Sequence, residues 1–163
     1  MISDTICLTV KDSILEALDQ NPKKFISSIR NDKCLLSFLE SLGNKAIITR
    51  QRRYLYSLNT ICQISDGYLG DGIGGVASEI FEKDPFFMIE FFLATRHRPC
   101  LYFHLIDEMS ATVAVSTEDQ QLQRIVNYHE RIRAILLGQT KKKKYLNFLN
   151  KELILKINPA KFN

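Results

Sequence analysis

The sequence contains no tryptophan, no CxxC pair and no apolar run long enough to cross a membrane. A spanning helix needs about 18 or more apolar residues, and the nearest approach, Pro85 to Ala94, is broken by Glu90. Asp4 stands where a secretory leader would carry its positive charge, so no targeting segment is expected. Strand-like alternation is missing throughout. So are HExxH, a paired-Asp motif, a Ser/His/Asp order and a kinase-type signature, which leaves an enzyme as the minority expectation. No cofactor is called for.

What is present suits one globular domain over residues 1–163, with a short polar tail at 158–163. Apolar residues make up 45% and charged residues 25%, and ten Phe with six Tyr supply a core. The four cysteines, Cys7, Cys34, Cys62 and Cys100, sit far apart within helix-like apolar stretches. They read as reduced core thiols, and the expected location is cytoplasmic.

Apolar spacing is helical from end to end. One stripe runs through Val10, Ile14, Leu15 and Leu18, and Asn21-Pro22 then opens a second helix. A third runs from Cys34 to Leu42 with Gly43 as its stop, and a fourth spans Lys45 to Ser65. After a glycine-rich break the period resumes at Val76, and Asp84-Pro85 opens a helix too apolar for the surface. Further helices follow Pro99, the capping-box pattern Thr117-Glu118-Asp119-Gln120, and the lysine run up to Lys156. The expected class is all-α, a single-domain bundle or short solenoid of about seven to eight helices.

Shifting the chain by 63 residues lays Asn21-Pro22 on Asp84-Pro85, Leu18 on Phe81, Ile26 on Ile89 and Ile29 on Phe92. Each copy is a helix, a capped turn and a second helix. This resembles the hairpins of HEAT-like and armadillo-like repeats, and the resemblance implies a surface presented to a partner.

Several clusters could carry chemistry. The stretch Ser65 to Gly75 is rich in glycine, but it lacks the strand and the Gly-Lys-Ser/Thr ending of a phosphate loop, and calcium-loop spacing fails. A flexible connection leading into a small-residue helix face at Gly74, Ala77 and Ser78 is expected. Cys100, His104 and Glu108 follow i, i+4, i+8 spacing, with His97 just upstream. A zinc site normally draws on a second segment as well, so packing is the favoured reading and no metal site is assigned.

Charge is the clearer signal. The net charge is +4, and its surplus lies late in the chain. From Ser116 onward there are ten Lys/Arg against four Asp/Glu, while the first 115 residues carry twelve against fourteen. Arg50, Arg52 and Arg53 sit beside Tyr54 and Tyr56, with Arg50 and Arg53 expected on one side of a helix. Lys141, Lys142, Lys143 and Lys144 crowd a helix start, where each exposed cation opposes the macrodipole by about 0.3 kcal/mol. Local contradictions of this kind mark function or tolerance. These seven residues are the candidate partner surface, and the expected partner is a protein with an acidic face. The profile is that of a non-catalytic interaction module, such as a bacterial adaptor or a toxin-neutralising immunity protein. The alternative is a helical nucleic-acid binder using clusters 50–53 and 141–144.

Overall fold

Short polar side chains open three of the early helices. Asn21 accepts from Lys24 N at 3.1 Å and starts α2 (Pro22–Ser28), which follows α1 (Asp12–Gln20). Asn31 accepts from Lys33 N and Cys34 N and starts α3 (Asp32–Thr49). Asp84 accepts from Phe87 N at 3.0 Å and starts α6 (Pro85–Ala94). Each cap satisfies an amide that the helix itself leaves free. The Asn21 and Asp84 turns have nearly the same backbone, with φ/ψ of −152/83° and −144/72°. The repeated turn is therefore real at the local level. The packing around it differs: α1 and α2 lie mainly against α4 (Arg52–Ile64), whereas α5 (Gly67–Lys83) and α6 lie against α3, α7 (Cys100–Ala114), α8 (Glu118–Leu137) and α9 (Lys142–Phe148).

The computed structural model describes residues 7–29, 31–65 and 67–162. Residues 1–6, read above for a targeting segment, lie outside it, as does Asp66 of the glycine-rich stretch. The described residues form nine α-helices and no strand. The remaining ones are α4 (Arg52–Ile64), α5 (Gly67–Lys83), α7 (Cys100–Ala114), α8 (Glu118–Leu137) and α9 (Lys142–Phe148). A π-helical turn (Leu149–Leu153) and 3-10 turns then finish the chain. None of the described helices is long and apolar enough to cross a membrane.

The most apolar helix, α6, is central as expected, with Phe87, Met88, Ile89, Phe91 and Phe92 all buried. Phe92 meets Tyr102 edge-on at 5.6 Å and stacks near Phe148 at 6.1 Å, joining α6, α7 and α9 through one aromatic cluster.

Several expectations are corrected. Gly43 does not end α3. It is buried mid-helix, where an added Cβ would lie 2.6 Å from Val76 Cγ1, so its role is to let α3 and α5 approach. The chain instead turns at Arg50, whose φ of 52° is left-handed, and the single helix expected from Lys45 to Ser65 is split there. The glycine-rich stretch is no flexible connection: α5 begins at Gly67 and runs through it. Gly70 lies under the His104 ring and Gly74 under Glu108, close approaches that no larger residue would permit without displacement. Thr117 begins α8 without a side-chain cap bond. Of the apolar residues of α8, only Ile132 and Leu136 are buried, while Leu122 is 69% exposed.

The cysteines are not free thiols. Cys7 pairs with Cys34 and Cys62 with Cys100, at Cα separations of 4.7 and 5.9 Å that suit disulfides. Spacing could not reveal this, because four cysteines allow three connectivities and only the fold brings chain positions 27 and 38 residues apart into contact. Disulfides persist in oxidising compartments, so the cysteines no longer argue for a cytoplasmic location.

Candidate functional site

One residue from each of the two basic clusters, far apart in sequence, meets the same carboxylate. Glu90 projects from α6 between the starts of α4 and α9. Arg52 Nη2 approaches its Oε2 at 3.7 Å, and Lys144 Nζ donates to its Oε1 at 3.2 Å. The buried Tyr145 hydroxyl donates to the same Oε1 at 2.7 Å. Glu90 is only partly buried, and it is paired. The Tyr145 hydrogen bond, aided by Lys144 and by the field of Lys141, outweighs partial burial and holds its carboxyl below the usual range. Burial and the bond to Glu90 push the Tyr145 hydroxyl up to about 12.

The lysine run starts where it was expected to be least comfortable. Lys141 is the N-cap of α9, and Lys142 to Lys144 form its first turn. No linker separates the lysines from the helix, which begins at Lys142. Glu90 supplies the negative charge that the helix start lacks, from outside the helix. All four lysines remain exposed.

The three arginines go to different places. Arg50 is not on a helix face but at the turn after α3. Its guanidinium grips Asp84 at 2.8 and 3.3 Å and lies over the Phe86 ring. Arg52 faces Glu90. Arg53 reaches across to Asp12 of α1 at 2.6 Å. Arg50 and Arg52 therefore point toward α6 together while Arg53 departs, the reverse of the pairing that helical spacing suggested. The break at Arg50 is the reason, because it removes that residue from the register of α4.

The sequence sets Tyr56 beside the arginines, but it was not among the candidate surface residues. It lies one helical turn after Arg52, is 49% exposed, and meets Phe91 edge-on at 5.2 Å. Its exposure carries no local signature, since its neighbours Leu55 and Leu58 are both buried.

Two other places hold polar groups in concave or crowded settings. A cleft of about 370 Å3 opens between α5, α7 and α8, with Met109, Val113 and Ile125 on its walls and the Glu82–Arg131 ion pair at 3.0 Å. Tyr128 also lines it, with its hydroxyl buried and without a protein partner. Burial, with Glu82 adding to it, pushes this hydroxyl above the usual phenol range. At the other place, Cys100 and His104 share the start of α7, and the structure adds Cys62 from the last turn of α4. Their ligand atoms all lie within 4.8 Å of one another. Glu108, the third member of the expected helical set, is raised by burial and by nearby Asp71, and lies against Gly74 instead. His97 is exposed in the turn before α7.

No family model matches this chain, and no curated protein or solved structure matches it.

Proposed function

We propose that this chain is a non-catalytic protein–protein interaction module whose basic face, built from Arg52, Lys141, Lys142, Lys143 and Lys144 around Glu90 and edged by Tyr56, receives an acidic protein surface. The observation that carries this reading is the convergence of Arg52 and Lys144 on one carboxylate while both remain open to solvent, at 45% and 47% side-chain exposure. One cation from each cluster, Arg52 and Lys144, is thereby brought to the same side of α6. Cations held in place by a shared counter-ion lose less freedom on binding than free ones do.

Tyr56 favours a protein over a nucleic acid. Tyrosine and arginine are enriched at interface centres, and a tyrosine already packed on Phe91 orders little more when bound. A phosphate backbone suits an uninterrupted line of cations, whereas Asp84 and Glu90 interrupt this one. Arg50 and Arg53 belong to the fold on this reading, each being held by a carboxylate of another helix. An adaptor or a toxin-neutralising immunity protein would use a stand-alone helical module in this way.

Affinity capture from host lysate, at low and high salt and with and without nuclease, tests the partner class. Binding of the recovered protein is then compared for the wild type, Lys142→Glu/Lys143→Glu and Tyr56→Ala. A nuclease-resistant partner weakened at least about tenfold by both variants, about 1.4 kcal/mol, supports the reading. Unchanged affinity in both removes this face. Recovery that vanishes with nuclease assigns the face to nucleic acid instead.

A further inference from the structure

A tetrahedral cation site needs ligands that converge from more than one segment, and the start of α7 has them. Cys100 is the first residue of α7, His104 follows one turn later, and Cys62 comes from the last turn of α4. The sulfurs of Cys62 and Cys100 and a ring nitrogen of His104 lie within 4.8 Å of one another. In a tetrahedral zinc site with bonds of about 2.0–2.3 Å, ligand atoms sit roughly 3.5–3.8 Å apart. The two sulfurs need only part by side-chain rotation, with the imidazole nearby, for a cation to fit among them.

We propose that the Cys62–Cys100 disulfide masks a metal site: once reduced, Cys62, Cys100 and His104 bind a zinc ion, with a fourth position open to water or an external ligand.

The surroundings hold the three ligands together without the disulfide. Asn59 of α4 accepts from Leu101 N at 3.3 Å, tying the body of α4 to the start of α7. Leu101 and Leu105 of α7 are fully buried beside this contact, so the helix is seated by packing as well. The His104 ring is confined against Gly70, where even a methyl group would lie 2.9 Å from it. The nearby arginine is not pointed at the site: Arg98 lies over the Phe148 ring at 4.9 Å and pairs with Glu152. The other pair, Cys7 and Cys34, has no histidine within ligand reach among the described residues.

The chemistry balances with an external thiol as reductant. Two small-molecule thiols give up two electrons and two protons to the Cys62–Cys100 bond, leaving two protein thiols and one small disulfide. Zinc then replaces the two thiol protons, which pass to solvent. Reduction opens the site; in the reverse exchange a small-molecule disulfide takes two electrons from the two thiolates, becomes two thiols with protons from solvent, and the re-formed Cys62–Cys100 bond expels the metal.

Cobalt(II) titration of the full chain under anaerobic conditions tests this, after reduction by dithiothreitol and removal of the reductant. Helicity is followed by circular dichroism. The expected result is one equivalent of Co2+ bound, with a thiolate-to-cobalt charge-transfer band, tetrahedral visible bands and displacement by Zn2+. The disulfide-intact chain should show none of these. A Cys7→Ser/Cys34→Ser variant should bind as the wild type does, whereas Cys62→Ser should lose most of the charge-transfer band. His104→Ala should weaken binding at least about tenfold, since loss of a direct ligand should cost no less than loss of its supporting partner. Absence of the bands in the reduced chain overturns the proposal, as does their survival in Cys62→Ser. So does a reduced chain that loses its helicity and does not regain it with cobalt.

Discussion

Arg50 and Asp84 hold one another across the fold: the guanidinium Nε and Nη2 meet the two carboxylate oxygens at 2.8 and 3.3 Å, while the same carboxylate caps α6 through Phe87 N. One aspartate thus closes the turn after α3 and opens the central helix. The two contacts differ in worth. Loss of an N-cap costs about 1–2 kcal/mol, whereas an exposed ion pair contributes about 0–1 kcal/mol. Asp84→Ala is therefore expected to lower unfolding free energy by about 2 kcal/mol, and Arg50→Ala by less than about 1 kcal/mol. A double-mutant cycle by urea denaturation checks both. A coupling larger than the loss from Asp84→Ala itself would contradict the ordering.

Glu90 makes stability sensitive to acid. Its folded pKa is depressed, so the stabilisation is present above its unfolded value and disappears as pH falls through the folded one. The window lies at and below the ordinary glutamate range. Tyr145 acts at the other extreme: raised to about 12, its contribution is complete below the unfolded phenol range and is lost as pH climbs through the folded value. Glu90→Gln keeps an acceptor for the Tyr145 hydroxyl but cannot titrate. Its unfolding free energy should fall less steeply with acid than that of the wild type, as read from denaturation midpoints between neutral pH and pH 3. Equal slopes would exclude Glu90 as a source of the acid dependence.

Gly43 sets propensity against packing. Alanine in mid-helix gains about 1 kcal/mol over glycine, yet overpacking a well-filled core costs about 1–3 kcal/mol. The obstructing atom is a methyl of Val76, whose β-branched side chain has little rotamer freedom in a helix. Gly43→Ala is expected to destabilise by about 1 kcal/mol net. Adding Val76→Ala should cost less in that background than in the wild type. Equal cost in both backgrounds would mean that Val76 is not the obstacle.

Tyr128 is an unusual case in which truncation should be harmless. Its ring stacks near Phe81 at 6.4 Å and lies under Arg131, and phenylalanine would keep both contacts. The hydroxyl gives up hydration without gaining a protein partner. Tyr128→Phe should leave the thermal midpoint unchanged or raise it, by up to about 1 kcal/mol in stability. A clear loss of stability would show that the hydroxyl has a partner in solution.

Residues acting on their immediate neighbours were legible in advance. Asn21 and Asp84 signal helix starts because the cap bond reaches only three residues along the chain. The run from Phe86 to Leu93 signals a central helix because its apolar side chains go all the way round. Reading failed where one residue type serves two purposes. Glycine can end a helix or let two helices touch, and at Gly43 and Gly70 it does the latter. Arg50 adopts a conformation usually left to glycine, so no stop was visible where the chain turns. On the proposed binding face, the individual cations could be named from the sequence, but their grouping could not.

By itself, then, the sequence determined the all-α class, most helix positions and the apolar character of α6, since these follow from periods and caps spanning a few residues. Tertiary structure alone decided that Cys62 meets Cys100 and His104, that Arg50 grips Asp84, and that Arg52 and Lys144 share Glu90. Each of those meetings joins different helices. It depends on how closely and at what angle the helices cross, which is set by the whole packed core rather than by any local stretch of chain.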